Sequence, residues 1–322
     1  MIEQSLQNIS ILVTGGSGFI GSHLVATLLT AGSLIYAPHR GLRPPWRLAE
    51  WSNHPRLKLL PNCDLRSRKD VEELVVSIDF QSVAHTAAYG VQAREHDIGE
   101  AVSVNVLGTT YLIDACRDKD IKRFVLIGTG FEYQEQIQPI DEAVPLQSGT
   151  AYGASKTASW LIADYYRREK NFPLVTLRPF ATYGPKEDET KLIPHVICSA
   201  LRNEPIKISN GHQLRDYTYV TDVVSAISMA LAGRLPLGEV YNVTAGESLR
   251  VAEIAELARQ LVAKDVELQL GSYQPLRKDH RVLVGCADKL RQYGWAPQYT
   301  LTKGLIETID WYTNNLKVVG EK

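Results

Sequence analysis

The stretch ISILVTGGSGFIGSHL, residues 9–24, decides the fold. It opens with apolar and β-branched residues typical of a buried strand, passes through a glycine-rich turn and ends in helical spacing. Its glycines fit both GxxGxxG and GxGxxG. In a strand–turn–helix context such glycines allow a tight turn and bring a dinucleotide pyrophosphate onto the helix N-terminus. The residues expected to contact a bound dinucleotide here are Gly15, Gly18, Phe19, Ile20 and Gly21.

The rest of the first half repeats this alternation of strand and helix. Apolar runs typical of buried strands occur at 34–37, 57–60, 82–85, 123–127 and 174–177. Helical spacing of apolar residues separates them, at 19–30, 68–78, 101–116 and 152–170. Strands that alternate with helices imply right-handed crossovers and a parallel sheet. The expected fold class is therefore α/β, a Rossmann-type doubly wound parallel sheet.

Beyond about Pro179 the alternation loosens. Clusters of Pro, Gly and charged residues separate short helical patterns at 192–202, 221–232, 251–263 and 301–315. We expect a smaller C-terminal substrate-binding lobe, interleaved with the nucleotide-binding domain. The predicted limits are a nucleotide-binding domain over 1–180, with returning segments at about 215–245, and a mainly substrate-binding lobe over 181–322.

Composition excludes several classes of function. Hydrophobic residues make up 44% of the chain and charged residues 22%, which is ordinary for a folded domain. The formal charge of −1 attracts neither nucleic acid nor an acidic membrane. No apolar run approaches the ~20 residues that span a bilayer, and the N-terminus resembles no export signal. The four cysteines lack CxxC spacing and the histidines lack metal-ligand spacing, so we expect a cytoplasmic protein with reduced thiols and no metal.

The residues after the second predicted strand indicate which dinucleotide binds. NAD sites usually place Asp or Glu about 20 residues after the glycine turn, to hold the ribose 2′-hydroxyl. Here no acidic residue occurs between Gly21 and Glu50. The basic residues that follow the strand instead are His39, Arg40, Arg43 and Arg47. Guanidinium groups suit a 2′-phosphate, so NADP is predicted ahead of NAD, with a solvated basic loop as the alternative.

Three residues near the ends of the second and third strands have predicted contacts with this cofactor. His39 and Arg40 are the expected ligands of the 2′-phosphate. Asp64, after the third strand, could accept a hydrogen bond from the adenine amino group or cap the next helix.

A tyrosine and a lysine four residues apart, in AYGASKTASW, indicate the chemistry. Tyr152 and Lys156 share one helix face, and an ammonium beside a phenol stabilises its phenolate. Tyr152 could then exchange a proton with a carbonyl or alcohol while a hydride moves to or from a nicotinamide. Thr129, at the carboxyl edge of the sheet, could hydrogen-bond the reacting oxygen or be purely structural. A second YxxxK match, Tyr166 with Lys170, lies further along the helix, and both pairs cannot reach one nicotinamide.

With these motifs the sequence resembles the extended short-chain dehydrogenase/reductases, in the nucleotide-sugar epimerase/dehydratase/reductase family. The resemblance covers nearly the whole chain, through TGGSGFIGSHL, VAHTAA, SVNVLGT, YGASK, LRPFATYGP and GHQLRDYTYVTDVV. It implies that Thr129, Tyr152 and Lys156 form a catalytic triad, with Lys156 also bonding the nicotinamide ribose. The other cofactor contacts assigned on this basis are Asp64, Leu65, Ala87 and the site-supporting Asn105.

Departures from the family patterns narrow the reaction. Sugar 4,6-dehydratases of this group follow the catalytic Thr with Asp-Glu, but Gly130 and Phe131 stand there, so elimination of water is not expected. Ala181 replaces an Asn that often contacts the sugar diphosphate, and the acidic residue usual in 4-epimerases is missing. The remaining motifs most resemble NADPH-dependent reductases of nucleotide-linked 4-keto-6-deoxy sugars, such as CDP-abequose synthase.

The resemblance also implies contacts with the substrate. Arg215 and Arg277 match family arginines that hold the diphosphate, and guanidinium groups suit phosphate oxygens. The alternative is a surface ion pair, for example Arg215 with Asp216. Leu192 resembles a backbone contact to the nucleotide base, and Tyr89 either faces the sugar or packs within its loop.

The predicted function is NADPH-dependent reduction of a nucleotide-linked 4-keto sugar, with Tyr152 as the acid. The alternatives are an NAD-dependent nucleotide-sugar 4-epimerase, a reductase of small carbonyls, and a non-catalytic dinucleotide-sensing or RNA-binding relative. Family members commonly dimerise through two helices that match residues 101–117 and 152–170, so a homodimer is expected. Tyr111 and Trp160 are the candidate outward-facing residues of those helices.

Overall fold

The computed structural model describes residues 2–92, 95–274 and 280–320. The helices are α1 (Ile2–Leu6), α2 (Phe19–Thr30), α3 (Arg68–Ser77), α4 (Ile98–Ala101), α5 (Gly108–Cys116), α6 (Ala151–Lys170), α7 (Leu192–Leu201), α8 (Val220–Leu231), α9 (Val251–Val262), α10 (Asp288–Arg291) and α11 (Leu301–Gly320). None of these helices is long and apolar enough to cross a membrane.

The strands are β1 (Ser10–Thr14), β2 (Leu34–Pro38), β3 (Leu57–Leu60), β4 (Ser82–His85), β5 (Arg123–Ile127), β6 (Leu174–Pro179), β7 (Ala181–Tyr183), β8 (Ile206–Lys207), β9 (Leu214–Arg215), β10 (Tyr217–Tyr219), β11 (Val240–Val243), β12 (Leu249–Arg250), β13 (Leu268–Gln269) and β14 (Val282–Leu283). Seven of them form one parallel sheet in the order β11-β6-β5-β4-β1-β2-β3. Because β1 sits between β2 and β4, the strand order reverses beside it, as in other doubly wound sheets.

Helices cover both faces of this sheet. Every residue of β4 and β6 is buried, including polar residues such as His85 and Arg178, as expected for strands covered by helices on both faces. Alternate residues of β1 separate the two cores. Ile11 packs in the core shared with α2 and α8, whereas Leu12 packs in the core shared with α3 and α5. The predicted fold class, a Rossmann-type α/β sheet, is therefore confirmed.

The C-terminal half of the chain forms a hydrophobic core of its own and also adds a strand to the main sheet. Helices α7, α9 and α11 surround a core of their own, which includes Ile197, Ile254 and Leu305. The same half also returns to the main sheet, since β11 pairs with β6 and α8 packs against α2. The residue limits given above for the two lobes stay a prediction.

One predicted helix has a different form. Instead of one regular helix over 101–116, α4 and α5 are joined by a π-helical segment, Val102–Leu107. Such wide turns are rare and frequently occur at functional sites. This segment carries Asn105, whose contacts are described below.

Candidate active site

A cleft of about 630 Å³ runs along the carboxyl edge of the main sheet and reaches the C-terminal lobe. Residues just after β1, β2, β3, β4, β5 and β6 line it, which is where sheets of this type bind ligands. The predicted site residues that line the cleft are Gly15, Gly18, Phe19, Ile20, Gly21, His39, Arg40, Asp64, Leu65, Ala87, Tyr89, Thr129, Tyr152, Leu192 and Arg215. Residues far apart in sequence are thus brought to one surface.

The glycine turn leaves no room for side chains. Gly15 has a φ of +73°, and a Cβ there would lie 2.4 Å from the backbone nitrogen of Ala87. A Cβ on Gly21 would lie 2.1 Å from the carbonyl oxygen of Gly15. Helix α2 follows, and its N-cap residue, Gly18, has no side chain to cap the free backbone N–H groups. The first turn of α2 contains no acidic residue. This bare, positively polarised helix end suits a diphosphate.

Two arginines supply positive charge at the end of the cleft beyond β2. Arg40 is exposed and lines the cleft. The Arg47 guanidinium lies 4.5 Å from the Trp46 ring centroid, and its Nε donates to the carbonyl of Lys186 at 2.8 Å. Arg47 also lines the cleft, although the sequence analysis noted it only as one of several basic residues. Burial lowers the pKa of His39, so this imidazole is neutral near pH 7 and the arginines carry the charge.

Asp64 lines the cleft after β3 but does not cap the next helix. The N-cap of α3 is Ser67, whose hydroxyl accepts the backbone N–H of Asp70 at 3.2 Å. The Asp64 carboxylate instead pairs with Arg66 at 2.6 Å, and this hydrogen bond lowers the pKa of Asp64. A carboxylate held ionised at the cleft edge remains able to accept further hydrogen bonds.

Thr129 and Tyr152 meet the cleft from two different elements. Thr129 follows β5, is 6% exposed, and its hydroxyl oxygen accepts the N–H of Phe131 at 3.3 Å. That bond leaves the Thr129 hydroxyl hydrogen available for a ligand. Tyr152 lies in the first turn of α6, which begins after Thr150, whose hydroxyl accepts the N–H of Gly153 at 3.0 Å.

Lys156 lies one helical turn beyond Tyr152 and is only 2% exposed. Burial lowers the pKa of Lys156 to about 8, and the charge of Glu132 acts in the opposite direction. His85 lies near this amine but does not share its charge. Its ring is held between the hydroxyls of Thr14 at 2.6 Å and Thr109 at 2.9 Å, and burial lowers its pKa to about 3. His85 is therefore a neutral structural residue.

Asn105 connects the cleft loop to α6. Its Oδ1 accepts the N–H of Tyr89 at 2.8 Å, and its Nδ2 donates to the Tyr89 carbonyl at 2.9 Å and to Ser155 Oγ at 2.8 Å. Because Asn105 is buried, it fixes the backbone of the loop that carries Tyr89 rather than lining the cleft itself.

Arg215 reaches the cleft from β9 in the C-terminal lobe. It is 5% exposed, and its guanidinium donates to the carbonyls of Leu214 and His280, each at 2.8 Å. Asp216 is engaged elsewhere, since its carboxylate accepts the hydroxyl of Thr244 and the N–H of Gly246. Arg277 lies outside the described residues.

Two aromatic side chains of α6 lie outside this cleft. The hydroxyl of Tyr166, in the second YxxxK match, donates to Asp114. Trp160, predicted to face outward, is half-buried, and its ring lies 4.9 Å from the guanidinium of the buried Arg178. Tyr111 is likewise half-buried, with its ring 5.8 Å from the Arg68 guanidinium.

Comparisons with known proteins agree with this fold and cleft. The model of the NAD dependent epimerase/dehydratase family matches residues 11–244. The low-salt glycan biosynthesis protein Agl12 of Haloferax volcanii is 31% identical over 319 residues, covering 94% of this chain and 98% of that protein.

Two solved structures superpose closely. A dTDP-glucose 4,6-dehydratase from Bacillus anthracis, solved with NAD, has a TM-score of 0.84 and 26% identity, and the match covers 96% of this chain and 98% of that one. A UDP-glucose 4-epimerase from Thermotoga maritima, solved with UDP-glucose, has a TM-score of 0.85 and 25% identity, with coverage of 96% and 100%.

The fold and the cleft thus define a dinucleotide-dependent oxidoreductase. The chain belongs to the NAD-dependent epimerase/dehydratase family and is an enzyme of the extended short-chain dehydrogenase/reductase class. This confirms the family resemblance, whereas the finer likeness to CDP-abequose synthase stays a prediction.

Proposed function

We propose that this enzyme is an NADPH-dependent reductase of a nucleotide-linked 4-keto sugar, most simply a 4-keto-6-deoxy sugar. The observation that carries the proposal is the apolar wall beside Thr129. Phe131 stands where dehydratases of the family carry an acid, and its ring centroid lies 6.5 Å from that of Tyr152 and 5.2 Å from that of His280. An aromatic ring can neither donate nor remove the proton that elimination of water requires.

Position 130, next to Phe131, also has little space for an acidic side chain. A Cβ on Gly130 would lie 2.9 Å from the ring of Phe180. On the opposite side of that ring, a Cβ on Gly285 would lie 2.7 Å away. The Phe180 ring therefore packs against two glycines, and an Asp at position 130 would have to displace it. Transfer of hydride and proton at one carbonyl is the chemistry that this wall permits.

Tyr152 acts as the acid in this reaction. The Thr129 hydroxyl hydrogen-bonds the carbonyl oxygen of the substrate, and the Tyr152 hydroxyl gives that oxygen its proton. The Lys156 ammonium, one turn away, stabilises the phenolate that remains until solvent returns the proton. The dinucleotide, when bound, supplies the hydride that reaches the carbonyl carbon.

The residues present fit NADP. The side-chain-free cradle at Gly15 and Gly21 suits the pyrophosphate, since a Cβ at either position would fill it. Arg40, exposed after β2, and Arg47, whose Nη1 lies 3.5 Å from the Ser17 carbonyl, both line the cleft and offer positive charge to a 2′-phosphate. Asp64 is paired with Arg66, a guanidinium that it shares with Glu100, and this pairing weakens its repulsion of a phosphate.

Residues of the C-terminal side suit the substrate diphosphate. The Arg215 guanidinium is buried at the cleft wall and already oriented by two carbonyl groups, so little rotamer entropy is lost when it binds a phosphate. Leu192 opens α7 at the same wall and suits a base contact, and Tyr89 suits the sugar.

The test uses purified enzyme and two cofactors. NADPH and NADH are titrated separately into protein stripped of nucleotide, and NADPH oxidation is then followed with nucleotide-linked 4-keto-6-deoxy sugars. We expect NADPH to bind at least about tenfold more tightly, a difference of about 1.4 kcal/mol, and to be consumed in proportion to product. Tyr152→Phe should bind NADPH normally and turn over no substrate.

A second candidate is a nucleotide-sugar 4-epimerase. The close superposition on the UDP-glucose 4-epimerase favours it. Such an enzyme would co-purify with NAD, prefer NADH to NADPH, and interconvert two sugars without net consumption of cofactor. That set of results would replace the reductase proposal.

A homodimer is proposed from an apolar surface on the helices around α6. Ile98 and Val102 are exposed at the start of the helical segment 98–116, and Leu161 and Tyr165 are exposed one turn apart on α6. A second copy of the chain would cover these side chains. Light scattering at micromolar concentration should give a mass near 72 kDa, about twice the 35.9 kDa of one chain, and Leu161→Glu should shift it toward the monomer.

A further inference from the structure

A segment of the C-terminal lobe runs along the cleft between β7 and α7. We call this segment, residues 184–191, the strap. Its residues Glu187, Asp188 and Lys191 line the cleft. The strap is therefore a part of the cleft wall that belongs neither to the main sheet nor to a helix, and its contacts with the N-terminal half of the chain decide how firmly it is held there.

The segment after β2 holds the middle of the strap through a reciprocal contact. The Nε–H of Arg47 donates to the carbonyl of Lys186 at 2.8 Å, and the Lys186 ammonium donates to the carbonyl of Arg47 at 3.2 Å. The same ammonium pairs with the carboxylate of Glu50. Both partners lie in the short 3₁₀ helix Trp46–Trp51. We refer to these contacts of Lys186 as the latch.

The opposite end of the strap is bonded to the segment after β4. Gln92 Nε2 donates to Asp188 Oδ2 at 3.1 Å, and the Lys191 ammonium donates to the carbonyl of Val91. In the sheet, β1 lies between β2 and β4. Because the strap is bonded to the segments that follow both of these neighbours, it spans the glycine turn that follows β1.

The backbone of the strap is held in a strained conformation. Lys186 has a φ of +67°, which costs energy in a residue that carries a side chain. Such residues persist only where the surrounding structure holds them, and they cluster at active sites and ligand clamps. Here His23, on α2, donates its Nε2–H to the carbonyl of Pro185 at 2.8 Å, and the buried Tyr312 donates its hydroxyl to the carbonyl of Glu187 at 2.7 Å. The residues on both sides of Lys186 are thus fixed.

We infer that the strap closes the cleft over the pyrophosphate of the bound dinucleotide, and that the latch must open before the dinucleotide enters or leaves. The inference rests on the proposed dinucleotide site at the glycine turn, but not on whether NADP or NAD occupies it. Lys186 lies outside the cleft lining in the part of the chain that the structure describes, so it acts through the strap rather than on a phosphate. The latch is formed within the protein, and its opening therefore limits entry and exit alike.

Stopped-flow fluorescence tests the latch directly. Lys186→Met removes the ammonium and keeps most of the length of the side chain. The association rate is measured by mixing full-length enzyme, stripped of nucleotide, with NADPH, and the dissociation rate by chasing bound NADPH with excess NADP⁺. We expect both rates to rise about fivefold, because a half-exposed ion pair and a charged hydrogen bond are lost. Kd should stay within about twofold of the wild type, since the latch exists with and without the ligand.

A direct contact between Lys186 and a cofactor phosphate would give a different pattern. Loss of such a contact would raise the dissociation rate, would not raise the association rate, and would therefore weaken Kd. That pattern overturns the inference. A change of less than about 1.5-fold in both rates overturns it as well, because the latch would then not limit passage of the dinucleotide.

A matched control and two further variants support this reading of the rates. The Lys289 ammonium also pairs with a glutamate, Glu239, at 2.7 Å, but outside the cleft lining, so Lys289→Met should leave both rates unchanged. Glu50→Gln weakens the latch without changing the strap itself, and both rates should rise about twofold. Lys186→Gly covers failure of Lys186→Met to fold, because glycine adopts a positive φ without strain. It removes the same ammonium and should raise both rates as well.

Hydrogen exchange measures the latch without any dinucleotide and separates this inference from the proposed function. In the free enzyme, amides in peptides that cover residues 184–191 should exchange at least about threefold faster in Lys186→Met, and no faster in Lys289→Met. Preference for NADH, or epimerisation without net consumption of cofactor, would overturn the reductase proposal, and the same rate measurements would then be made with NADH. Wild-type exchange in the strap of Lys186→Met, together with unchanged rates, would overturn the strap and leave the reductase proposal as it stands.

Discussion

Replacement of Gly130 by alanine tests whether the apolar wall is closed to a side chain. Gly130 lies in a short helical turn and has no positive φ, so alanine introduces no backbone strain there. The added Cβ would lie 2.9–3.0 Å from three atoms of the Phe180 ring, inside normal contact distance. The Phe180 ring also packs closely on Gly285, so relief requires displacement of the ring or of the backbone.

The expected loss follows from this geometry. Overpacking of a well-packed core costs about 1–3 kcal/mol, and the sandwiched ring places Gly130→Ala toward the upper end. For a chain of 322 residues that loss lowers Tm by about 1.5–4.5 °C. Gly41→Ala is the matched control, because its Cβ would meet nothing closer than 3.8 Å. It should leave Tm within about 1 °C of the wild type.

A double-mutant cycle identifies the source of the loss. Phe180→Leu alone removes ring volume and destabilises the protein, but it gives the new methyl group space. Gly130→Ala combined with Phe180→Leu should therefore cost at least about 1 kcal/mol less than the sum of the two single changes. Thermal and urea unfolding of all four proteins supply the numbers. A neutral Gly130→Ala, or strictly additive effects, would refute the argument that an acid at position 130 is sterically excluded.

Three further predictions follow from the cleft. Arg40→Ala should weaken NADPH binding about tenfold and leave NADH binding unchanged in fluorescence titrations, whereas Arg43→Ala, outside the cleft lining, should change neither. Gly21→Ala should weaken calorimetrically measured NADPH binding by about tenfold or more, because its Cβ meets the Gly15 carbonyl oxygen at 2.1 Å. Burial raises the pKa of Glu187 to about 8. Between about pH 4.5 and 8 the folded state therefore binds more protons than the unfolded state. The free energy of unfolding consequently falls as the pH rises through this range. Glu187→Gln should therefore gain stability over the wild type at pH 8.5 but not at pH 4.5, as read from urea midpoints.

The sequence predicted the first half of the fold well for a physical reason. Strands β4 and β5 are buried on both faces and have the predicted limits, and the edge strand β3, which is less buried, has them too. The two-residue strands of the C-terminal lobe have no comparable signal, since β9 pairs with residues far along the chain. Likewise β11 joins the main sheet through long-range pairing that no local pattern reveals.

The site was predictable where its chemistry depends on local spacing. The glycine turn and the Tyr152–Lys156 pair are short motifs, and the structure brings both to one edge of the sheet. The contact between Trp160 and Arg178 was not predictable, because a half-polar helix gives no indication that an internal arginine will meet its ring. The sequence analysis noted Arg47 without assigning it to the cofactor, since only the fold carries that residue back to the cleft beside Ser17.

The turn Thr-Gly-Phe-Glu shows why side-chain direction matters more here than composition. The sequence does contain a carboxylate close behind Thr129, three residues later at Glu132. In the short helical turn, Phe131 lines the cleft while Glu132 is fully buried against Arg178. An acid on the cleft side could protonate a leaving hydroxyl, whereas Glu132 on the core side contacts the backbone of Thr129 and the guanidinium of Arg178. Glu132 therefore supplies no proton for dehydration, because one step along the turn moves the acid from the cleft to the core.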